Sequence, residues 1–408
     1  MQNKKVAIIG TMGIPAKYGG FETLTEYLTK NLYKKYNLTV YCSSKSYKHK
    51  IAQHNGANLK YINLNANGIQ SIPYDIISII KSLKESDTLL ILGVSGCIIL
   101  PIIRVFSKKN IIVNIDGLEW KRDKWGKFAK WFLKYSERLA VKYANSIVAD
   151  NKVIQEYVKK EYNKESKLIA YGANHVNKEF LTDNLKEKYP FLKKDYAFTV
   201  CRIEPENNIE MILEAFKKNH KLVLIIVGNW NNSEYGINLK NKYHIYKNIH
   251  LMNPIYEQSI LNQIRSNCKI YIHGHSAGGT NPSLVEAMYL GLAIFSYNIK
   301  YNQETTQYKA LYFDSSKDLV KLLKDIDEKE LYTIATNMER LAKDNYAWEQ
   351  ISKQYSSLFK EKVTKKAFFI VGNGIKLGFL LNRGAQIEGV SRYLKNPRNF
   401  KKIFNLLI

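Results

Sequence analysis

The chain has 408 residues, 45% of them hydrophobic, which is enough for about two domains with complete cores. No stretch reaches the roughly 18 consecutive apolar residues of a transmembrane helix, and Cys42, Cys97, Cys201 and Cys268 are scattered without disulfide or metal-ligand spacing, so a reduced, cytoplasmic compartment is expected. The formal charge of +26 favours anionic partners, but nucleic acid is set aside because no RNA-binding motif accompanies it.

The first ten residues carry Lys4 and Lys5 before a short apolar run, which reads as a buried strand over Val6 to Gly10 and not as a secretory signal. A helix is expected over Phe21 to Tyr33, then strands at Leu38 to Cys42, Thr88 to Leu92, Ile111 to Ile115 and Ser146 to Ala149. Leu168 to Ala173 reads as the last strand of this half, and Asn174 to Asp195 as a polar connection. A second series follows: strand Tyr196 to Cys201, helix Ile209 to Lys218, strands Leu222 to Gly228, Ile249 to Met252 and Ile270 to His273, helix Pro282 to Leu290, strand Ala293 to Ser296. Strands alternating with helices predict parallel sheets covered on both faces. The expected fold is α/β, two Rossmann-like domains (1–175 and 176–361) facing a central cleft between the carboxyl ends of their strands.

The tail, 362–408, departs from this pattern, with ten Lys or Arg against the single Glu388, interleaved with phenylalanines. Its run Ala367 to Leu381 holds three glycines, Asn373 and Lys376, too short and polar to span a bilayer. Basic residues with apolar anchors suit peripheral contact with an anionic membrane.

Four segments carry the chemistry. After the first strand, Gly10 to Pro15 and then Tyr18-Gly19-Gly20-Phe21-Glu22 place glycines at a strand-to-helix junction, where backbone amides can approach a phosphate. The spacing is not the dinucleotide fingerprint, which argues against an NAD oxidoreductase. Beyond another strand end, Asp116, Glu119, Trp120 and Arg122 combine carboxylates for sugar hydroxyls with an aromatic face for a sugar ring; the alternative is a local Glu119–Arg122 pair with Trp120 in the core. Arg202, opening the second half's first loop, can neutralise a leaving diphosphate, unless Glu204 pairs with it. The fourth segment, His273 to Met288, is a glycine loop closed by Asn281 and Pro282 as a helix start, with Glu286 about one turn into that helix. Its two histidines lack further ligands at metal spacing, so no metal is expected.

At these residues the chain resembles the retaining family 4 glycosyltransferases, in particular the bacterial rhamnosyltransferases of capsule and O-antigen assembly. The resemblance rests on Tyr18-Gly19-Gly20-Phe21-Glu22-Thr23, on Asp116 to Arg122 and on Gly278 to Met288, and covers roughly Lys5 to Leu323. It implies a GT-B fold and metal-independent transfer from a nucleoside diphosphate sugar to a lipid-linked saccharide acceptor, the leaving phosphate itself taking the acceptor's proton. It implies Asp116, Arg202 and Glu204 as the catalytic group, and Glu22, Glu119 and Trp120 on the acceptor side. The donor would meet Gly19, Gly20, Asn207, Gly278, Gly279, Thr280, Asn281 and Glu286, the last accepting ribose hydroxyls. The chain departs from the general family at Gly278, where a first glutamate is usual, and at Asn207, where a lysine is usual. Asp116 falls near a common sugar-contacting histidine. These departures fit a deoxysugar, which offers fewer hydroxyls to bind. A nucleotide-sugar epimerase is the rival reading, and it would need no acceptor.

Overall fold

The computed structural model describes residues 3–17, 19–122, 125–219 and 221–361, together with the backbone of 370–372 and 375–377. The first half is one sheet of eight strands: β1 (Lys5–Ile9), β2 (Asn37–Ser43), β3 (Gln53–His54), β4 (Ala57–Ile62), β5 (Thr88–Leu92), β6 (Asn110–Asn114), β7 (Ser146–Ala149) and β8 (Lys167–Leu168). Their spatial order is β3-β4-β2-β1-β5-β6-β7-β8, parallel except for the β3–β4 pair. Helices α1 (Gly20–Leu32), α2 (Ser71–Ser82), α3 (Leu100–Phe106), α4 (Lys127–Tyr143) and α5 (Lys152–Tyr162) cover it. The central strands β5 and β6 are buried along their whole length, as continuous runs such as TLLIL and NIIVN require of strands covered on both faces.

The second half opens with α6 (Asp183–Lys188) and holds a parallel sheet of six strands: β9 (Tyr196–Val200), β10 (Val223–Val227), β11 (Ile249–Met252), β12 (Ile270–His273), β13 (Ile294–Tyr297) and β14 (Leu311–Phe313), in the order β11-β10-β9-β12-β13-β14. Its further helices are α7 (Ile209–Lys218), α8 (Glu234–Tyr243), α9 (Gln258–Ser266), α10 (Pro282–Tyr289), α11 (Lys300–Thr305), α12 (Ser316–Lys324), α13 (Glu328–Asn345) and α14 (Trp348–Lys360). Strand order reverses between β1 and β5 in one sheet and between β9 and β12 in the other, and open sheets receive ligands beyond the strand ends at such points.

Three expectations need correcting. Of the expected strand Leu168 to Ala173 only Leu168 joins the sheet, in β8. Beyond it, Ile169, Tyr171 and Ala173 bury themselves at the junction of the halves, where a Cβ on Gly172 would lie 2.4 Å from the Trp348 ring. The connection Asn174 to Asp195 contains α6, capped by the Thr182 hydroxyl accepting from Leu185 N. The strand β4, ANLKYI, was missed because two of its alternate residues are polar, although it pairs with β2 over five residues.

The last helix, α14, crosses back to the first half. Tyr36 hydroxyl meets the Ser356 hydroxyl at 2.7 Å, Asn31 Nδ2 donates to Ser352 Oγ at 3.0 Å, and Asn110 Nδ2 donates to the Leu358 carbonyl at 2.9 Å. Residues 363–408 form a separate compact unit, of which β15 (Ile370–Gly372) and β16 (Ile375–Leu377) are described as an antiparallel pair. The expected basic, membrane-contacting tail otherwise lies outside the described residues. Among the described residues no helix is long and apolar enough to cross a membrane.

Candidate active site

The loop after β1 is shaped by backbone crowding. Gly10 has φ +90, and a Cβ there would lie 2.0 Å from the Leu92 carbonyl oxygen, so only glycine fits. Downstream, Glu22 in the first turn of α1 folds back into this loop, accepting from Thr11 Oγ1 at 2.9 Å and from Met12 N at 2.7 Å. Burial raises its carboxyl, against the lowering effect of those two hydrogen bonds. Glu22, expected on the acceptor side, is thus the internal clamp of the loop. Gly19, at φ +126, leaves room for that carboxylate: a Cβ there would meet Glu22 Oε2 at 2.0 Å. Gly20 faces the other half, its Cβ position lying 3.4 Å from Pro282. Tyr18 lies outside the described residues.

Beyond β6 the backbone takes two left-handed steps, at Asp116 (φ 59) and Leu118 (φ 58), before a single 3-10 turn over Glu119–Lys121. Asn114 braces the bend: its Oδ1 accepts from Asp116 N at 3.1 Å, and its Nδ2 donates to the Tyr355 hydroxyl of α14 at 3.0 Å. Burial raises the Asp116 carboxyl, and Arg122 pulls it down. The 3-10 turn sets Trp120, expected on the acceptor side, against α4. Its indole N–H donates to Glu137 Oε2 at 3.0 Å, and Lys134 sits 4.6 Å over its ring. Glu119 is also engaged within its own half, by Arg122 Nε at 2.9 Å and by Trp125 Nε1 at 3.0 Å. The local Glu119–Arg122 pair is therefore the arrangement found.

In the second half two loops are stitched together. Asn207 is buried, its Nδ2 donating to the Arg202 carbonyl at 2.8 Å and its Oδ1 2.8 Å from His275 Nδ1. Asn208 Nδ2 donates to the Gly274 carbonyl at 2.8 Å, and Ser276 N donates to the Glu206 carbonyl at 2.8 Å. Asn207 thus braces the loop that bears Arg202, its side-chain polar atoms bonded to the Arg202 carbonyl and to His275. Arg202 itself is exposed and, among the described residues, makes no ion pair with Glu204 or any other carboxylate. His275 is pushed well down by burial, helped by His273, Arg122 and Arg202, and stays neutral.

The two halves meet backbone to backbone. A Cβ on Gly117 would lie 2.2 Å from Gly278 Cα and 2.7 Å from Gly279 N, while one on Gly279 would lie 1.8 Å from Asp150 Oδ1. Thr280 Oγ1 donates to the Asp150 carbonyl at 2.5 Å, which makes it a bridge between the halves. Asn281 caps α10, its Oδ1 accepting from Ser283 N at 3.0 Å. Glu286 on α10 is gripped by Arg265 Nη1 and lies 3.1 Å from His175 Nε2. Trp348 Nε1 donates to His175 Nδ1 at 3.0 Å, so the ring proton is on Nε2 and donates to Glu286. Burial works against the Glu286 charge, but Arg265 and His175 override it and lower the carboxyl to about 2. Two carboxylate oxygens offer about four acceptor sites, so Glu286 retains lone pairs beyond these bonds.

The structure therefore gathers Asp116, Gly117, Arg122, Arg202, Glu206 and Gly278 to Thr280 at one meeting point, with Gly20 beside α10. Sequence reading missed Asp150, Arg265 and His175. Asp150 ends a buried strand and carries no motif; Arg265 sits on α9, far from any glycine loop; His175 was assigned to a polar connection.

Comparisons with known proteins bear on the fold and on each half of the chain. Residues 182–362 match the family glycosyl transferases group 1, and residues 3–174 match a domain of unknown function (DUF1972). No curated protein matches the sequence. Among solved structures, sucrose-phosphate synthase from Thermosynechococcus elongatus is similar with a TM-score of 0.73 at 13% identity, over 88% of this chain and 98% of that one. Anabaena HepE in complex with UDP-glucose is similar with a TM-score of 0.68 at 12% identity, over 87% of this chain and 99% of that one. The synthase of α,α-trehalose 6-phosphate from Burkholderia multivorans has a TM-score of 0.66 at 8% identity, over 88% and 97% of the two chains. The fold is GT-B.

Proposed function

We propose that this chain, a group 1 glycosyltransferase by its second half and a GT-B protein by its fold, transfers L-rhamnose from dTDP-rhamnose to a lipid-linked or polysaccharide acceptor in capsule or O-antigen assembly. The transfer would retain anomeric configuration and need no metal, and the protein would work at the inner face of the cytoplasmic membrane. The observation that carries the reading is the backbone contact of Gly117 with Gly278, which brings both halves' loops to one point while Arg202, among the described residues, has no ion pair. HepE is described in complex with UDP-glucose, which supports a nucleoside diphosphate sugar as the donor class.

In this mechanism Arg202 and the amides of Gly278, Gly279 and the Gly19-Gly20 loop stabilise the charge that grows on the departing diphosphate. Glu204 flanks Arg202, and Glu286 accepts from the ribose with its remaining lone pairs. Asp116 orients the reacting sugar or the acceptor hydroxyl, and the departing phosphate takes the acceptor's proton. Gly278 stands where a glutamate is usual and a Cβ there would have no atom nearer than 3.8 Å, so the site offers no carboxylate to a sugar hydroxyl at that point. A 6-deoxy sugar fits such a site. A UDP-sugar donor is the second reading, favoured by the HepE complex.

The test is nucleoside diphosphate release from dTDP-rhamnose, UDP-glucose, UDP-N-acetylglucosamine and GDP-mannose, each with and without a lipid-diphosphate sugar. Acceptor-dependent release from dTDP-rhamnose alone is expected. Release only from a UDP- or GDP-sugar removes rhamnose and keeps the transferase, whereas a changed sugar nucleotide without acceptor would point to an epimerase.

A further inference from the structure

The two ring nitrogens of His275 have different tasks. Asn207 Nδ2 donates to the Arg202 carbonyl at 2.8 Å, which turns Asn207 Oδ1 to His275 Nδ1, also at 2.8 Å. An amide oxygen can only accept, so the ring carries its proton on Nδ1. Burial keeps the ring neutral, helped by His273, Arg122 and Arg202 and against the Ala277 backbone. Nε2 is therefore a bare lone pair on a side chain that is 7% exposed. Held well below the usual histidine range, it accepts a hydrogen bond without taking the proton.

That lone pair borders open space at the meeting point of the halves. A Cβ on Gly278 would stand 3.8 Å from His275 Nε2, 3.8 Å from Gly117 Cα and 3.9 Å from Arg122 Nη2. Among the described residues, no atom beyond the neighbouring peptide units comes nearer. Arg122 is held by its other nitrogens, Nε 2.9 Å from Glu119 Oε2 and Nη1 4.0 Å from Glu206 Oε1, and Nη2 is its atom nearest that space. An acceptor and a donor beside one opening restrict what can fill it. The diphosphate of a sugar nucleotide carries no hydrogen at neutral pH and has nothing to give Nε2, while a cation would meet Arg122. A hydroxyl satisfies both, its hydrogen going to Nε2 and its oxygen receiving from Nη2.

We propose that His275 Nε2, together with Arg122 Nη2, binds one hydroxyl of the sugar while that sugar is still attached to its nucleotide, and so selects the donor. This rests on the reading of a nucleoside diphosphate sugar as donor and names the residues that read its sugar. With the diphosphate on the amides of Gly278 and Gly279, the sugar begins beside Nε2. Asn207 is then a positioning residue: by fixing the proton on Nδ1 it keeps Nε2 free to accept. The opening at Gly278 exchanges a charged carboxylate for a neutral acceptor, which binds a hydroxyl without adding a negative charge next to the diphosphate.

The test is calorimetric titration of the full chain, without acceptor, by dTDP-rhamnose, UDP-glucose, UDP-N-acetylglucosamine and GDP-mannose. Single-deoxy forms of the tightest binder and its free nucleoside diphosphate follow. In the parent, one deoxy form is expected to bind about tenfold more weakly than the full sugar nucleotide, the size of one lost hydrogen bond. His275→Asn keeps an N–H for Asn207 but has no atom at the Nε2 position. It is expected to bind the free nucleoside diphosphate as the parent does and the sugar nucleotide about tenfold more weakly. It should also bind that deoxy form and the full sugar nucleotide alike. A variant that keeps the parent's penalty for the missing hydroxyl overturns the proposal, as does a parent with no such penalty. Equal weakening for the free nucleoside diphosphate overturns it too, assigning His275 to the framework of the loop. Each of those results leaves the proposed function standing. A parent that binds none of the four sugar nucleotides breaks the proposed function, and this proposal with it.

Discussion

Two carboxylates, one in each half, Glu286 partly exposed and Asp150 buried, show how differently the molecule treats a charge near the meeting point of the halves. Glu286 in the second half has Arg265, itself fully buried, on one oxygen and the His175 proton on the other. Asp150 in the first half has neither: its Oδ1 has no hydrogen-bond partner, and burial, with Asp116 adding to it, raises its carboxyl to about 8. The same contrast separates the cations, since Arg265 is spent on Glu286 while Arg202 is exposed and, among the described residues, has no ion pair. Groups that the protein satisfies internally hold the framework. Among the described residues, Arg202 and Asp150 Oδ1 are the groups here that such internal partners do not hold.

Breaking the satisfied side should give the largest effect. Arg265→Met leaves Glu286 without its cation, and loss of one partner of a buried pair costs roughly 3–5 kcal/mol. Urea unfolding measures it, and a loss below about 1 kcal/mol would mean the pair is not what fixes Glu286. Arg202→Ala should instead leave unfolding within about 0.5 kcal/mol of the parent. It should cost roughly 2.7–4 kcal/mol of transition-state stabilisation, read as turnover. Unchanged turnover would remove Arg202 from the mechanism.

The smaller effects separate the carboxylates by pH. Glu286 is held below its usual value of 4.5, so its contribution is present above that pH and lost as pH falls to about 2. Glu286→Gln should therefore be less stable than the parent at neutral pH, the gap closing toward pH 2 in thermal unfolding. Asp150 has the opposite sign. Its folded value stands above the usual 3.8, so the stability it adds is present at low pH and is lost as pH rises toward about 8. Asp150→Asn should flatten that decline. A parent and variant with parallel pH profiles between about 4 and 8 would show that Asp150 is ionised in the fold.

The alternation of apolar runs and glycine turns made the fold readable, because buried parallel strands need continuous Val, Ile and Leu regardless of what they contact. The candidate site was readable where backbone shape forces residue type, as at Gly278, whose φ is +87, and Gly279, which lies against Asp150. It was less readable where side chains choose partners distant in sequence. Trp120 found Glu137, Glu22 found the loop behind it, and Asn207 found His275; each contact depends on packing that no spacing encodes. Arg265 and Trp348 reach Glu286 and His175 across more than one element, and neither stands in a motif.

The return of α14 to the first half bears on how such chains can be recombined. The family match that ends at residue 362 includes α14, yet Tyr36, Asn31, Asn110 and Asn114 all bond to it from the first half. A chimera that exchanges second halves at the linker near residue 175 would import a foreign α14 and strip the recipient sheet of its own. Exchanging second halves between relatives therefore calls for two crossovers, one in the linker and one between α13 and α14, so that each first half keeps the helix that closes it.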